Sequence, residues 1–222
     1  TTRLPVGQLP SNAVIATTAD ATYYVRTDGN DANDGSANTA GGAFKTINKA
    51  LSVLPKHLAH AVIINVAPGT YNEDVLIPGF IMSNVNGIVI QGATSVATTH
   101  NILSCKISDC YGRVEVAGFN ATTTTNSAFM AAYSKGFIYT NCQSTVVATG
   151  YAGYDVVTSD GRFYGGVMSN RAYVGIVGYY CNVAFSSISG SGSGYTIYSH
   201  KGAKVGWPAN NTATSTNGHA VG

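Results

Sequence analysis

Glu73, Asp74, Asp109, Glu115, Asp155 and Asp160 are the carboxylates of the middle of this chain. Glycoside hydrolysis needs two carboxyl groups at roughly 5 to 10 Å, one of them kept protonated. Asp109 with Glu115, and Asp155 with Asp160, are spaced to flank single chain reversals, while Glu115 and Asp160 suit adjacent turns of a repeat. These four are the catalytic candidates; the alternative is that corner carboxylates are solvated or bond turn amides. A second group, Arg113, Glu115, Tyr139, Arg162 and Tyr164, recurs along the sequence at positions predicted to face outward. Sugar recognition uses that mixture, since a flat ring stacks on a pyranose while keeping a polar tip, and Arg or Glu bonds hydroxyls. Arg113, Tyr139, Arg162 and Tyr164 are therefore the glycan-binding candidates. The same face is equally suited to packing against another subunit.

Other chemistries find less support. Cys105, Cys110, Cys142 and Cys181 show no CxxC spacing and no His pair, so no zinc site is expected and the thiols read as small buried side chains. In the acidic block Asp28 to Asp34, Ala32 falls where an EF-hand loop with Gly35 as its central glycine needs a ligand. The block reads as a Gly/Asn/Asp turn, and no metal or cofactor is expected. Five scattered histidines, His200 at a corner among them, define no Ser-His-Asp arrangement. The net charge of +2, without basic runs, points away from nucleic acid, and no apolar stretch is long enough for membrane insertion. Asn120-Ala-Thr and Asn210-Asn-Thr match the sequon pattern, which by itself marks only an exposed loop.

Charged residues are only 10% of the 222, and glycine numbers 26, a composition of many short strands and tight turns. The candidates sit in a repeat. Gly87, Gly112, Gly136, Gly161, Cys181 and Gly202 mark turns at steps of about 25 and then about 20 residues, within the solenoid range. Seven residues before each turn stand Phe80, Cys105, Phe129, Tyr154, Val174 and Tyr195; five before stand Met82, Ile107, Ala131, Val156, Ile176 and Ile197. The column between is mixed, so one face points inward and the other outward. Two residues after the turns come Val89, Val114, Ile138, Phe163 and Val183, again expected inside. The pattern predicts an all-β, single-stranded, right-handed parallel β-helix of about seven rungs.

Phe44, Ile47, Leu51 and Leu54 recur at helical spacing and predict a capping helix near 43–54, ended by Pro55. Residues 1–21 read as an arm or linker, 22–206 as the solenoid, and 207–222 as a polar tail. The chain does not begin with Met, which suggests a fragment or processed chain.

Tyr24-Val-Arg-Thr-Asp-Gly-Asn-Asp-Ala-Asn-Asp-Gly35, then Ala43-Phe-Lys-Thr-Ile-Asn-Lys-Ala50, then Val66-Ala-Pro-Gly-Thr-Tyr71 with Glu73 and Val75, resembles the N-terminal part of pectin-lyase-like β-helix proteins, most of all their phage tailspike and tail-appendage branch. The specific resemblance covers residues 23 to 77. It implies a homotrimer, a place in the phage tail of the virion beside other tail proteins, assembly in bacterial cytoplasm, and contact with bacterial surface polysaccharide. It favours receptor binding and adhesion, with polysaccharide depolymerase (endoglycosidase or lyase) and architectural fibre spacer as alternatives. The Arg-x-x-Pro-x-x-Arg segment of pectate lyases and the Asp-Phe-Ile-Phe-Gly segment of pectin methylesterases are missing. In a trimer, outward apolar side chains such as Ile81, Met130 and Phe137 are expected in the interface.

Overall fold

A computed structural model of the chain describes residues 16–95, 98–178, 180–200, 202–206, 214–215 and 220–221, with backbone alone described for 191–196, 214–215 and 220–221. Most of the expected arm and tail, Asn210 included, lies outside these residues. The described strands form one parallel sheet that coils through three faces. The first face stacks Ala21–Val25, Val62–Val66, Ile88–Gln91, Tyr111–Ala117, the opening parts of Lys135–Ser144, Asp160–Val177 and Asn182–Ser199, and then Lys204–Gly206. The second runs through Gly69–Thr70, His100–Ile102 and Asn120–Ala121, and the third through Asp74–Pro78, Ser104–Ser108, Phe129–Ala132 and Ala148–Val157. On the first face Val62, Ile88, Val114, Phe137, Gly161, Val183 and Val205 stack in register. The coil thus makes about six turns, near the seven rungs expected.

Each turn between faces must bend sharply without stranding a buried amide. Gly79, Asp109, Tyr133, Thr158, Tyr180 and Gly202 occupy one corner, with φ of 68, 55, 52, 44, 58 and 84°. For a side chain other than glycine that left-handed geometry costs roughly 1–2 kcal/mol. The next residue along the chain is buried at the first five of these rungs, as Phe80, Cys110, Ser134, Ser159 and Cys181, and Ala203 at the sixth is partly buried. The amides of the first four are satisfied by side chains of the neighbouring rung. Phe80 donates to Cys110 Sγ (3.4 Å), Cys110 to Ser134 Oγ (3.0 Å), Ser134 to Ser159 Oγ (3.0 Å) and Ser159 to Cys181 Sγ (3.4 Å). The two serine hydroxyls donate in turn to Ala132 O and Val157 O. Hydroxyl and thiol fit here because each combines a donor and an acceptor in a small volume.

Inside the coil the third-face columns hold where Cys105, Phe129 and Tyr154, and Ile107, Ala131 and Val156, stack and are fully buried. Elsewhere the register corrects the expected columns. Val75 and Ile77, rather than Phe80 and Met82, extend them below, and Gly175 and Val177 replace Val174 and Ile176 above. Tyr195 pairs with Tyr173, outside its expected column.

A larger correction lies on the first face. The pairing shifts between Tyr111 and Val114, so the Gly112 turn carries one residue more than the Gly136 turn. Because strand side chains alternate, that extra residue exchanges inside for outside. Val116, Tyr139, Phe163 and Phe185 form the inward column, while Val89 and Ile138 pair with Glu115 on the outward one. Tyr139 and Phe137 are therefore core residues, 0% and 1% exposed, and not the surface groups expected. The Tyr139 ring stacks on Phe163 with 5.5 Å between centroids, and its hydroxyl donates to Met130 O at 2.6 Å. Ile81, by contrast, is 54% exposed.

The helix spans Ile47–Ser52, shorter than 43–54, with Ile47, Ala50 and Leu51 buried against the coil. Its N-terminal amides are held from three directions. Asp31 accepts from Lys45 N and Thr46 N, Thr46 Oγ1 from Lys49 N, and Glu73 from Ile47 N and Asn48 N. This explains the acidic block: Asp31 bonds the helix approach, Asp28 pairs with Arg26, and Asp34 accepts from Ser36 N. Before the first strand, Thr17 and Asp20 already accept from His60 N and Ala61 N.

Replacing Ser134 by Ala strands the buried Cys110 amide. The expected loss is about 1–3 kcal/mol, read as a fall in denaturant midpoint at unchanged m-value. Ser134→Cys keeps an acceptor and is expected to lose clearly less.

Candidate functional site

The corner ladder orients the outward surface of the first face, where an open groove of about 730 Å³ crosses four successive strands. Gly112, Gly136 and Gly161 line it, with backbones too closely stacked for side chains. A Cβ on Gly136, where φ is 86°, would lie 2.7 Å from Gly112 O, and one on Gly161 2.4 Å from Phe137 O. Arg113, Ile138, Asp160, Arg162, Tyr164 and Ser186 contribute side chains. The groove therefore gathers three of the four glycan-binding candidates, Arg113, Arg162 and Tyr164. Tyr139, the fourth, lies beneath in the core and has no face free for a ligand.

The charges in the groove are differently committed. Arg113 Nη2 pairs with Glu115 Oε2 at 2.5 Å, and the second Glu115 oxygen accepts from Thr140 Oγ1 at 2.9 Å. Arg113 is thus fixed, and both oxygens of Glu115 are engaged. Arg162 is exposed, and the ion pairs among the described residues are Arg26–Asp28 and Arg113–Glu115. Its guanidinium remains available, with planar donors that suit hydroxyl pairs or a carboxylate. Tyr164 is 53% exposed, one strand position beyond Phe163.

The four carboxylates are spread over the first face, the third face and the corner between them. Glu115 and Asp160 are two rungs apart rather than on adjacent ones, because Ile138 lies between Glu115 and Arg162. With about 4.8 Å per rung and 3.3 Å per residue, their Cα atoms are about 12 Å apart. Asp160 lines the groove and accepts from Asn182 N at 3.0 Å. Asp109 is exposed on its corner. Asp155 lies on the third face, beyond the corner from Asp160, between Met130 and Ile176. Ser127 Oγ donates to it at 3.2 Å. Burial pushes the Asp155 carboxyl up from the ordinary range, against the opposing effects of Ser127 and the Lys106 charge.

Arg171 escaped the sequence reading because no charge partner or motif marks it. It is fully buried and donates to Thr123 O (2.8 Å), Asn126 O (2.9 Å) and Ser144 Oγ (2.6 Å). Burial pushes its guanidinium down to about 10, so it stays charged at neutral pH. It fixes the threonine loop that borders a smaller cleft of about 260 Å³ with Asp74 and Leu103. The four cysteines are buried and none is in a disulfide, and burial pushes the Cys142 thiol up to about 12. Among the described residues no His, Cys, Asp and Glu group is arranged to hold a metal, and no helix is long and apolar enough to cross a membrane.

A carboxyl whose pKa is raised on folding is favoured in its protonated form. Its contribution to stability is then lost as pH rises from the unfolded pKa through the folded one. Asp155→Asn is therefore expected to gain in melting temperature over the wild type as pH rises through the carboxylate range. A constant difference between the two proteins from pH 3 to pH 7 would contradict this assignment.

No protein-family model matches the chain, and neither curated proteins nor solved structures give a match.

Proposed function

We propose that this chain is the glycan-binding solenoid of a bacteriophage tail appendage, which attaches the particle to bacterial surface polysaccharide as a homotrimer alongside other tail proteins. The groove on the first face carries this reading. It is long and open, as a polymer requires, and combines a committed Arg113–Glu115 pair, an available Arg162 and the Tyr164 ring. The Arg113–Glu115 pair holds the shape, while Arg162 and Tyr164 offer bonds and a stacking face. The β-solenoid is compatible with adhesion, and the resemblance over residues 23 to 77 supports the phage assignment. Asp160 within the groove keeps a depolymerase as the second reading, with Asp109, Glu115 and Asp155 as the other carboxylate candidates.

The test is retention of purified protein on a panel of immobilised bacterial capsular polysaccharides and lipopolysaccharide O-antigens, with chain length followed in parallel. Retention without shortening is expected. Arg162→Ala and Tyr164→Ala should each weaken it at least about tenfold, or ~1.4 kcal/mol, while folding stability stays within about 0.5 kcal/mol. Shortening of a polysaccharide would establish the enzyme instead. No retention by any member would leave the architectural spacer.

A further inference from the structure

Charge is unevenly placed along this chain. Residues 1–111 carry six basic and seven acidic side chains, and residues 112–222 carry six basic and three acidic. Much of the positive surplus gathers at the groove. Arg162 lines it, and Tyr111, Lys135, Asp160, Asn182 and Lys204 stack in register along its edge. Arg162, Lys135 and Lys204 are all exposed. None of the three has a carboxylate within ion-pair distance among the described residues, where the pairs are Arg26–Asp28 and Arg113–Glu115. The carboxylates nearby leave that surplus standing: Glu115 is engaged by Arg113 and Thr140, Asp160 accepts from Asn182 N, and Asp109 stands on the corner two residues before Tyr111, at the lower end.

The cross-strand neighbours of Arg162 are Ile138 and Ala184, which offer its guanidinium no acceptor and no opposing charge. Lys135 lies one rung away and two residues back, so the two Cα atoms are about 8 Å apart, and both long side chains reach a single anion between them. Tyr164 follows Arg162 by two residues on the same outward face, about 7 Å along the strand, which sets a stacking ring beside the cation. We infer that the groove selects an acidic polysaccharide, in which Arg162 and Lys135 hold a sugar carboxylate while the Tyr164 ring stacks on a neighbouring pyranose. The planar guanidinium suits a carboxylate because it donates two parallel bonds. Lys204, three rung steps and about 14 Å from Lys135, extends the positive edge toward a further acidic sugar. This inference rests on the glycan-binding reading of the groove and names the class of glycan.

The test compares capsular polysaccharides that contain uronic acids with the same polymers after carboxyl reduction, which turns each carboxylate into a neutral hydroxymethyl group and keeps the chain. The wild type is expected to bind a uronate polymer, to lose at least about tenfold in affinity on its reduction, and to bind more weakly as salt rises from about 0.05 to 0.5 M. Arg162→Gln and Lys135→Gln should each narrow the ratio of affinities for native and reduced polymer at unchanged melting temperature. Lys45→Gln, an exposed lysine beside the helix, should leave that ratio as it is. Equal affinity for native and reduced polymers, or retention of neutral or phosphodiester polymers alone, would overturn the acidic selectivity. If Tyr164→Ala then weakens that binding, the glycan-binding groove stands and only its selectivity falls. If no polysaccharide retains the wild type, both fall.

Discussion

The coil depends on how its buried corner amides are satisfied. A parallel solenoid bonds rung to rung along its faces without difficulty, but a chain that turns sharply points some amides away from the ladder. Leaving such a group unpaired in the interior costs as much as several favourable contacts gain. Here Cys110, Ser134, Ser159 and Cys181 close that gap with their own side chains, each accepting from the residue stacked against it. The serines and cysteines are thus parts of one device, a column of small acceptors parallel to the axis. It also accounts for two of the four thiols; Cys105 and Cys142 belong to the apolar core.

With the corner fixed, the register of the first face decides what the surface offers. Phe137, Tyr139, Tyr154, Phe163 and Phe185 pack as a continuous aromatic stack, with Phe163 only 4.1 Å from Tyr154 and 4.9 Å from Phe185 between ring centroids. Such contacts add stabilisation beyond area burial and need rings at successive rungs. The glycines at the base of the groove are the outer side of the same arrangement. Close backbone approach leaves a trough, and Arg113, Arg162 and Tyr164 border it.

The sequence shows the solenoid because rung length and alternation repeat visibly. Cys105, Phe129 and Tyr154 with Ile107, Ala131 and Val156 are aligned by counting alone. The helix is legible from Ile47 and Leu51, although Phe44 proves to bridge to Val25 rather than begin it. Side-chain orientation on the first face is not legible, since the Gly112 turn carries one residue more than the Gly136 turn and the Gly136 turn one more than the Gly161 turn, each shift reverses it, and no residue type announces a bulge. That is why Tyr139 reads as a surface platform. The serine–cysteine column is hidden for a different reason: its members are of mixed type, and serine is common throughout the chain. Arg171 is invisible because its partners are mostly backbone carbonyls brought together by folding.

The central claim is that this register divides the tyrosines into a core stack and a surface set. Nitration of the native protein, with modified residues located by mass spectrometry of peptides, tests it directly. The account predicts reaction at Tyr111, Tyr133, Tyr164 and Tyr180 and protection of Tyr139 and Tyr154 until the chain unfolds. Rapid modification of Tyr139 in the folded protein, with Tyr164 protected, would contradict it.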